Sequence, residues 1–389
     1  MSTAAGRSPE ERATAGRALA ELLPAALVDP HIHQWDPLTT RREASGRARL
    51  LRPLPALPRA LRRVVPLADR EFVGDPRHVL RPYLPGTYAA DCGGLPVASV
   101  VHVEASWPVR DHLDGVEETR WLTTLPFGRD GAPRLGGIVA RVDPRWEDAG
   151  AVLDAHLRAS ELVRGVRLSA SHHPDPGVRD FTDAPAAYAE PAFLDGFEAV
   201  AGRGLSFELW CYAHQLPAAL GLVRRYPETT FVLDHYATPV GLLGPRGRHT
   251  GRYPHQRREQ LAAWREDLAA LAEHPNAVAK HSGLGMPSLG EERRAALGLP
   301  EVNGPGARAA FVDAVAPLIR HLHACFGPGR TMWASNYPID KPGLTLPATV
   351  GLLLEVLGAE ADLPALTHDV AHRVYRLPAP APDLTREPG

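Results

Sequence analysis

Apolar residues in this chain fall into short, nearly continuous runs at 26–33, 97–107, 135–144, 162–170, 205–215, 230–239, 276–285 and 330–340. Their Val, Ile and Leu content shows little polar alternation, which is the pattern of strands buried on both faces. Between most of these runs the apolar positions change to helical spacing, as in "WEDAGAVLDAHLRAS", "QLPAALGLVRRYP" and "RREQLAAWREDLAALAEHP". "PAFLDGFEAVAGRG" reads as a helix stopped by Gly202 and Gly204. "ARAAFVDAVAPLIRHLHACFGPG" reads as a helix kinked or divided at Pro317. Strands alternating with helices predict an α/β fold with a parallel sheet, and eight strands favour closure into a (β/α)8 TIM barrel. An open doubly wound sheet is disfavoured, because no glycine-rich phosphate loop follows the first strand.

One domain is predicted over 26–376, with an N-terminal extension over 1–25 and a loose proline-rich tail over 377–389. The extension reads as a flexible start followed by a short helix from Ser8, with Pro9 in its first turn. The segment 38–96 is too long for an ordinary connection and is read as an insertion after strand 1. It would sit above that strand, on the side where barrels carry their active sites. There it could act as a lid, remain a basic solvated insertion, or mediate a homo-oligomer.

Composition narrows the function. The 389 residues carry 43 Lys plus Arg against 45 Asp plus Glu, a net charge of −2. That balance argues against a nucleic-acid partner and leaves a small-molecule substrate. Three cysteines without a CxxC pair fit a reducing cytoplasm and exclude a cysteine zinc site. No secretory signal is read at the start, and no membrane partner is expected.

Titratable and aromatic groups gather at the C-terminal ends of the predicted strands, where a barrel places catalytic groups. Strand 1 ends in "VDPHIHQWDP" (28–37), whose His31 and His33 point to the same face of a strand and can converge on one ion. Glu104 ends strand 2 and Arg167 strand 4. Trp210 and His214 follow strand 5, Asp234 and His235 end strand 6, Lys280 ends strand 7, and Asn336 and Asp340 follow strand 8. Arg167 and Lys280 are candidate substrate contacts, or else partners of buried carboxylates. Trp35, Trp107 and Trp210 are candidates for a flat wall under a ring substrate, or else core.

"VDPHIHQWD", followed in order by "HVEASW", "RGVRL", "LDHYATP", "VAKHSGLGMP" and "MWASNYPIDKP", resembles the amidohydrolase superfamily. The likeness is to its TIM-barrel branch of metal-dependent hydrolases, which includes sugar-lactone and 2-pyrone-4,6-dicarboxylate lactonases, and it runs over about 28–342. The resemblance implies a hydrolase that opens a lactone or similar cyclic ester. It implies at most one divalent metal, with zinc suiting the imidazole set, while relatives of the lactonase type are able to work without one. His31, His33, His214 and His235 match the metal-site histidines, and Arg167 takes the strand-4 place.

At strand 8 the sequence departs from the family. Much of the superfamily has an aspartate there that touches the metal and takes a proton from water. Here the segment reads "ASNYP", and an amide is no base at neutral pH. Asp340, Glu104 and His214 are then the candidate bases. Two alternatives remain: a non-oxidative decarboxylase, against which Asn336 argues, and a recruited biosynthetic enzyme or binding protein.

Overall fold

Each of the eight runs forms a strand in the computed structural model, which describes residues 19–42, 45–52, 66–74, 77–290 and 299–378. The strands are β1 (Leu27–Ile32), β2 (Val97–Val103), β3 (Arg134–Arg141), β4 (Val163–Ser169), β5 (Ser206–Trp210), β6 (Phe231–Leu233), β7 (Ala277–His281) and β8 (Thr331–Trp333). They pair in parallel in sequence order, as expected for a (β/α)8 barrel. Each is shorter than its apolar run, because the C-terminal part of the run leaves the ladder to become the loop that carries polar groups. The predicted helix from Ser8, most of the Pro-rich tail and the stretch 53–65 of the insertion lie outside the described residues.

Inward positions alternate along the strands, and this sorts the interior by height. Val101, Val139, Val232, Val278 and Met332 meet in an apolar layer, against which the helix Val370–Tyr375 packs. Two residues beyond Val232 and Val278 stand Asp234 and Lys280, and on β4 and β5 Arg167 and Glu208, all buried. The charged layer is therefore the continuation of the apolar one, one strand step nearer the C-terminal mouth.

The barrel closes between β8 and β1 by one short contact. Ile32 and Tyr337 form a parallel bridge, and the His33 amide donates to the Tyr337 carbonyl at 2.8 Å. Below it the Asp29 carboxylate takes the place of a backbone partner. It accepts from the amides of Ser335 (3.0 Å) and His31 (3.2 Å) and from the Tyr88 hydroxyl (2.7 Å). Asp29→Ala leaves these buried donors without an acceptor, at a cost of about 1–3 kcal/mol for each one left unsatisfied. Urea denaturation should show the variant at least about 3 kcal/mol less stable; an unchanged midpoint would contradict this reading of the seam.

One expectation narrows and one changes. The helix Leu299–Phe326 runs through Pro317 without division. Proline removes one hydrogen bond there, and burial of Val315, Leu318, Ile319 and Leu322 on both sides of it holds the helix to the barrel. Its stretch Arg308–Phe326 is also long and apolar enough to cross a membrane by composition, although no apolar run of the sequence suggested a span. Those same buried side chains account for its apolar character. Segment 191–201, expected as one helix, divides into Pro191–Gly196 and Glu198–Ala201.

The described part of the insertion is helical, with helices Ser45–Leu51 and Leu67–Val73. Trp35 and Tyr83 pair through both of their amides, and the Lys341 ammonium holds Asp91 at 2.6 Å. Helix Pro85–Asp91 then leads into β2.

Candidate active site

His31 and His33, two residues apart at the end of β1, bring their ring centroids to 5.0 Å. Both are buried, and they differ in what holds them. His31 Nδ1 lies 3.2 Å from Asp234 Oδ1 and 3.1 Å from the Lys280 ammonium. His33 Nδ1 donates to the Val103 carbonyl at 2.8 Å, so its lone pair is on Nε2. Burial, with Lys280 and His235 adding to it, holds His31 well below the usual histidine range. Burial and the neighbouring Arg167 do the same for His33. Both rings are neutral at pH 7.

His235 reaches them through an unusual backbone. His235, Tyr236, Ala237 and Thr238 all have positive φ, at 53°, 57°, 54° and 35°. A left-handed residue with a Cβ costs about 1–2 kcal/mol, so this turn persists because its surroundings determine it. Trp264 Nε1 donates to the Tyr236 carbonyl at 2.8 Å, and the Tyr236 hydroxyl is bonded to His281 Nδ1 at 2.8 Å. Gly283, itself at φ +79°, gives the turn its room: a Cβ there would stand 2.5 Å from the His235 Cβ. The turn sets the His235 ring 4.6 Å from that of His31, with Nδ1 on Ser282 Oγ at 2.7 Å. Burial pushes His235 down to about 3. Asn336 also has a positive φ, 53°.

Arg167 is the fixed cation of the site. Its Nε and Nη2 donate to Glu104 Oε1 at 2.9 and 2.7 Å, and Nη2 also to the Glu104 carbonyl at 2.9 Å. Its Nη1 makes only long contacts, 3.4 Å to Asp234 Oδ2 and 3.5 Å to His31 Nε2. That edge of the guanidinium is the one left for another acceptor. Trp210 lies against the guanidinium, 4.8 Å from ring centroid to Cζ. Beneath, Lys280 pairs with Glu208 and stands 3.3 Å from Asp234. Burial and the charge of Asp234 push Glu208 up to about 8 against the pull of Lys280. Asp234 is held well below the carboxylate range by Lys280 and His31, which overcome its own larger burial penalty.

The strand-8 substitution has a defined geometry. Asn336 Nδ2 donates to Asp340 Oδ1 at 2.8 Å, and Asp340 Oδ2 accepts the Gly285 amide at 3.0 Å. With its NH2 turned to Asp340, Asn336 presents Oδ1 to His33 Nε2, 3.3 Å away. Two acceptors therefore face each other. His33 Nδ1 already holds that ring's proton, so neither group supplies one to the gap.

A cavity of about 670 Å3 opens over this arrangement, with His33, Glu104, Arg167, His235 and Asn336 at its floor. Trp35 and Trp210 line it as well. Lys280 lies beneath His31 and does not line it. Trp107 packs in the core under Arg42, 4.5 Å from its guanidinium. Asp340 is buried behind Asn336, away from the cavity. The expected place of His214 beside His31 is not where the structure puts it: its ring lies 5.2 Å from His173 and 6.5 Å from Tyr212, on the exposed start of the next helix. Residue-by-residue reading missed Ser282, Phe72 and Phe181. The first follows the Lys280–His281 strand end, and the two aromatics are separated by more than a hundred residues with no shared pattern.

Ligand atoms of His31, Asp234 and His235 lie within 4.8 Å of one another. Two neutral imidazoles and a carboxylate are a donor set that fits a divalent ion. Arg167 already faces Asp234 Oδ2 and His31 Nε2, so an ion there would share Asp234 with it.

The sequence profile of the amidohydrolase family matches residues 28–377. Protein y4mH of Sinorhizobium fredii, uncharacterized, is 28% identical over 354 residues, 90% of this chain and 99% of its own. An L-fucono-1,5-lactonase of Burkholderia ambifaria is 29% identical over 236 residues, 58% of this chain and 67% of its own. A crystal structure of an amidohydrolase of Burkholderia multivorans with bound zinc has a TM-score of 0.64 at 22% identity, covering 91% of this chain and 100% of that one. With eight sequential parallel strands and the polar groups of the site at their C-terminal ends, the chain belongs to the amidohydrolase family and is an enzyme of the hydrolase type.

Proposed function

We propose that this protein opens a lactone, or a comparable cyclic ester, by attack of water. The observation that carries the proposal is the pair of acceptors His33 Nε2 and Asn336 Oδ1, 3.3 Å apart on the cavity floor. A water molecule has two hydrogens to give, and here two fixed acceptors face each other on the cavity floor. A water seated on the cavity side of this pair, within hydrogen-bond reach of both atoms, donates to them and directs a lone pair at a carbonyl carbon held above it.

As the carbon–oxygen bond forms, His33 Nε2 takes the water's proton. The carbonyl oxygen becomes an oxyanion and accepts from Arg167 Nη1, the edge of the guanidinium that is not committed to Glu104. The tetrahedral centre then expels the ring oxygen, the acyl carbon–oxygen bond breaks, and His33 returns the proton to the leaving alkoxide. The burial that keeps His33 neutral also makes its protonated form a ready acid for that last transfer. Asn336 serves as an acceptor that orients the water, and Asp340 fixes which face of its amide is offered. Glu104 holds Arg167 and is not needed as the base.

A divalent ion, with zinc suiting the imidazoles best, would be held by His31, His235 and Asp234 and would add positive charge near the carbonyl oxygen. The purified protein is expected to hydrolyse members of a panel of five- and six-membered lactones. It is also expected to carry near-stoichiometric zinc that His31→Ala loses, read by elemental analysis. A folded protein that turns over no lactone in the panel would count against the reading.

A further inference from the structure

The cavity is larger and more apolar than a lactone ring requires. Its volume of about 670 Å3 falls in the size class of sites that enclose drug-sized molecules, roughly 300–1,000 Å3. It is on the order of twenty times the roughly 30 Å3 that one water takes in the liquid. A bare lactone ring of about seven heavy atoms would leave most of that space open.

The walls show what fills the rest. Phe72 of the insertion, Phe181 of the loop after β4 and Trp210 at the end of β5 form one aromatic surface. Phe72 lies 4.8 Å from Phe181, Phe181 4.5 Å from Trp210, and Phe72 6.1 Å from Trp210, between ring centroids. The surface begins at the reaction centre, where Trp210 lies against Arg167 and 6.3 Å from His235, and runs outward to the insertion. Leu51, Val73 and Leu80 extend the apolar lining on the insertion side. Trp210 Nε1 is buried with no hydrogen-bond partner, a donor available to an oxygen of a bound molecule.

The charge is one-sided. Five arginines line the cavity, Arg42, Arg47, Arg70, Arg167 and Arg179, against the two carboxylates Asp69 and Glu104. Glu104 pairs with Arg167, Asp69 with Arg179 at 3.0 Å, and Arg42 with the buried Glu118 behind the wall at 2.8 Å, so Arg47 and Arg70 carry the surplus among the described residues. The lining as a whole is positive, and such a low-dielectric enclosure concentrates anions.

We infer that the substrate is an amphipathic anion, a lactone or comparable ester on a large ring-bearing apolar body with a carboxylate, and not a compact polyhydroxylated sugar lactone. The reactive group rests on the lactone-opening reading above; the apolar body and the anion rest on the cavity itself. The aromatic surface takes the body, with the ester at the Arg167 end.

The experiment has a kinetic arm and a binding arm. In the first, an aryl-substituted δ-lactone bearing a carboxylate is compared with an aldono-1,5-lactone. The expected kcat/KM ratio is about 100-fold in favour of the aryl substrate, since even single methylenes in apolar pockets are worth roughly 10–200-fold. Phe72→Ala should lower kcat/KM for the aryl substrate about ten-fold, the scale of one lost aromatic contact, and lower it several-fold less for the aldonolactone, while Phe72→Leu restores most of the aryl rate. Equal or reversed preference, or an equal effect of Phe72→Ala on both substrates, overturns the inference. In the second arm, calorimetry measures naphthaleneacetic acid, which has no ester, binding to the wild-type protein and to Phe72→Ala. Binding weakened about ten-fold by the substitution, with no lactone turned over, would remove the lactone reading and keep the substrate class. Preferred aldonolactone turnover with no binding of the acid would do the reverse.

Discussion

Arg167→Lys is expected to lower kcat by about 100- to 1,000-fold, the loss seen when one donor to a developing oxyanion is removed, with the fold intact. Lysine keeps the positive charge in the layer that holds Glu104, Asp234 and Glu208. It cannot place one edge on Glu104 while pointing another at the cavity, which Arg167 does through Nε and Nη2 on one side and Nη1 on the other. The lysine variant therefore separates charge from geometry. A neutral replacement such as methionine would leave the buried Glu104 without its cation and cost about 3–5 kcal/mol of stability, confusing the readout. Initial rates on a lactone substrate, with a thermal melt to confirm folding, check the expectation. A lysine variant within a few-fold of wild type would show that Arg167 Nη1 does not meet the reacting oxygen.

His33→Ala is expected to lower kcat about 100- to 10,000-fold, the range for losing a positioned general base, with KM little changed. The ring contributes its Nε2 lone pair to the water and little to substrate contact, so the loss falls on the chemical step. The substitution also leaves the Val103 carbonyl without the 2.8 Å bond from His33 Nδ1, a modest structural cost of about 1 kcal/mol. Imidazole added to the assay has the vacated space to enter and should restore part of the rate. No loss of rate, or a loss wholly in KM, would contradict the role of His33 as base.

The architecture could be read from the sequence because its signals are local. Continuous Val, Ile and Leu runs mark strands buried on both faces, and the polar residues just beyond them mark the mouth. His31, His33, Glu104, Arg167, His235 and Asn336 all lie at such ends, and the structure gathers all but His31 on the cavity floor, with His31 buried beside His33 and His235. The misplacements came from contacts that strand position does not encode. His214 follows β5 in sequence, but the chain has already turned into the next helix, which carries the ring away to His173. Asp340 has the chemistry of a base, yet its effect depends on the orientation of one amide, Asn336, which spacing does not report. Trp107 and Trp210 look alike in the sequence and each has an arginine against its ring, but only Trp210 lines the cavity. The aromatic surface joins Phe72, Phe181 and Trp210 from three separate segments, so no periodicity announces it. The insertion's Arg- and Pro-rich composition suggested a solvated segment or a cover. Its described helices bring Leu51 and Phe72 to the cavity wall.

The central claim is that water held at His33 and Asn336 attacks an ester carbonyl. Turnover of a lactone in water enriched in the heavy oxygen isotope, followed by mass spectrometry of the product, tests it most directly. The account predicts one labelled oxygen per product, located in the new carboxylate, because the acyl carbon–oxygen bond is the one that breaks. Label in the hydroxyl instead, or carbon dioxide release from a carboxylated substrate with no label incorporated, would contradict it.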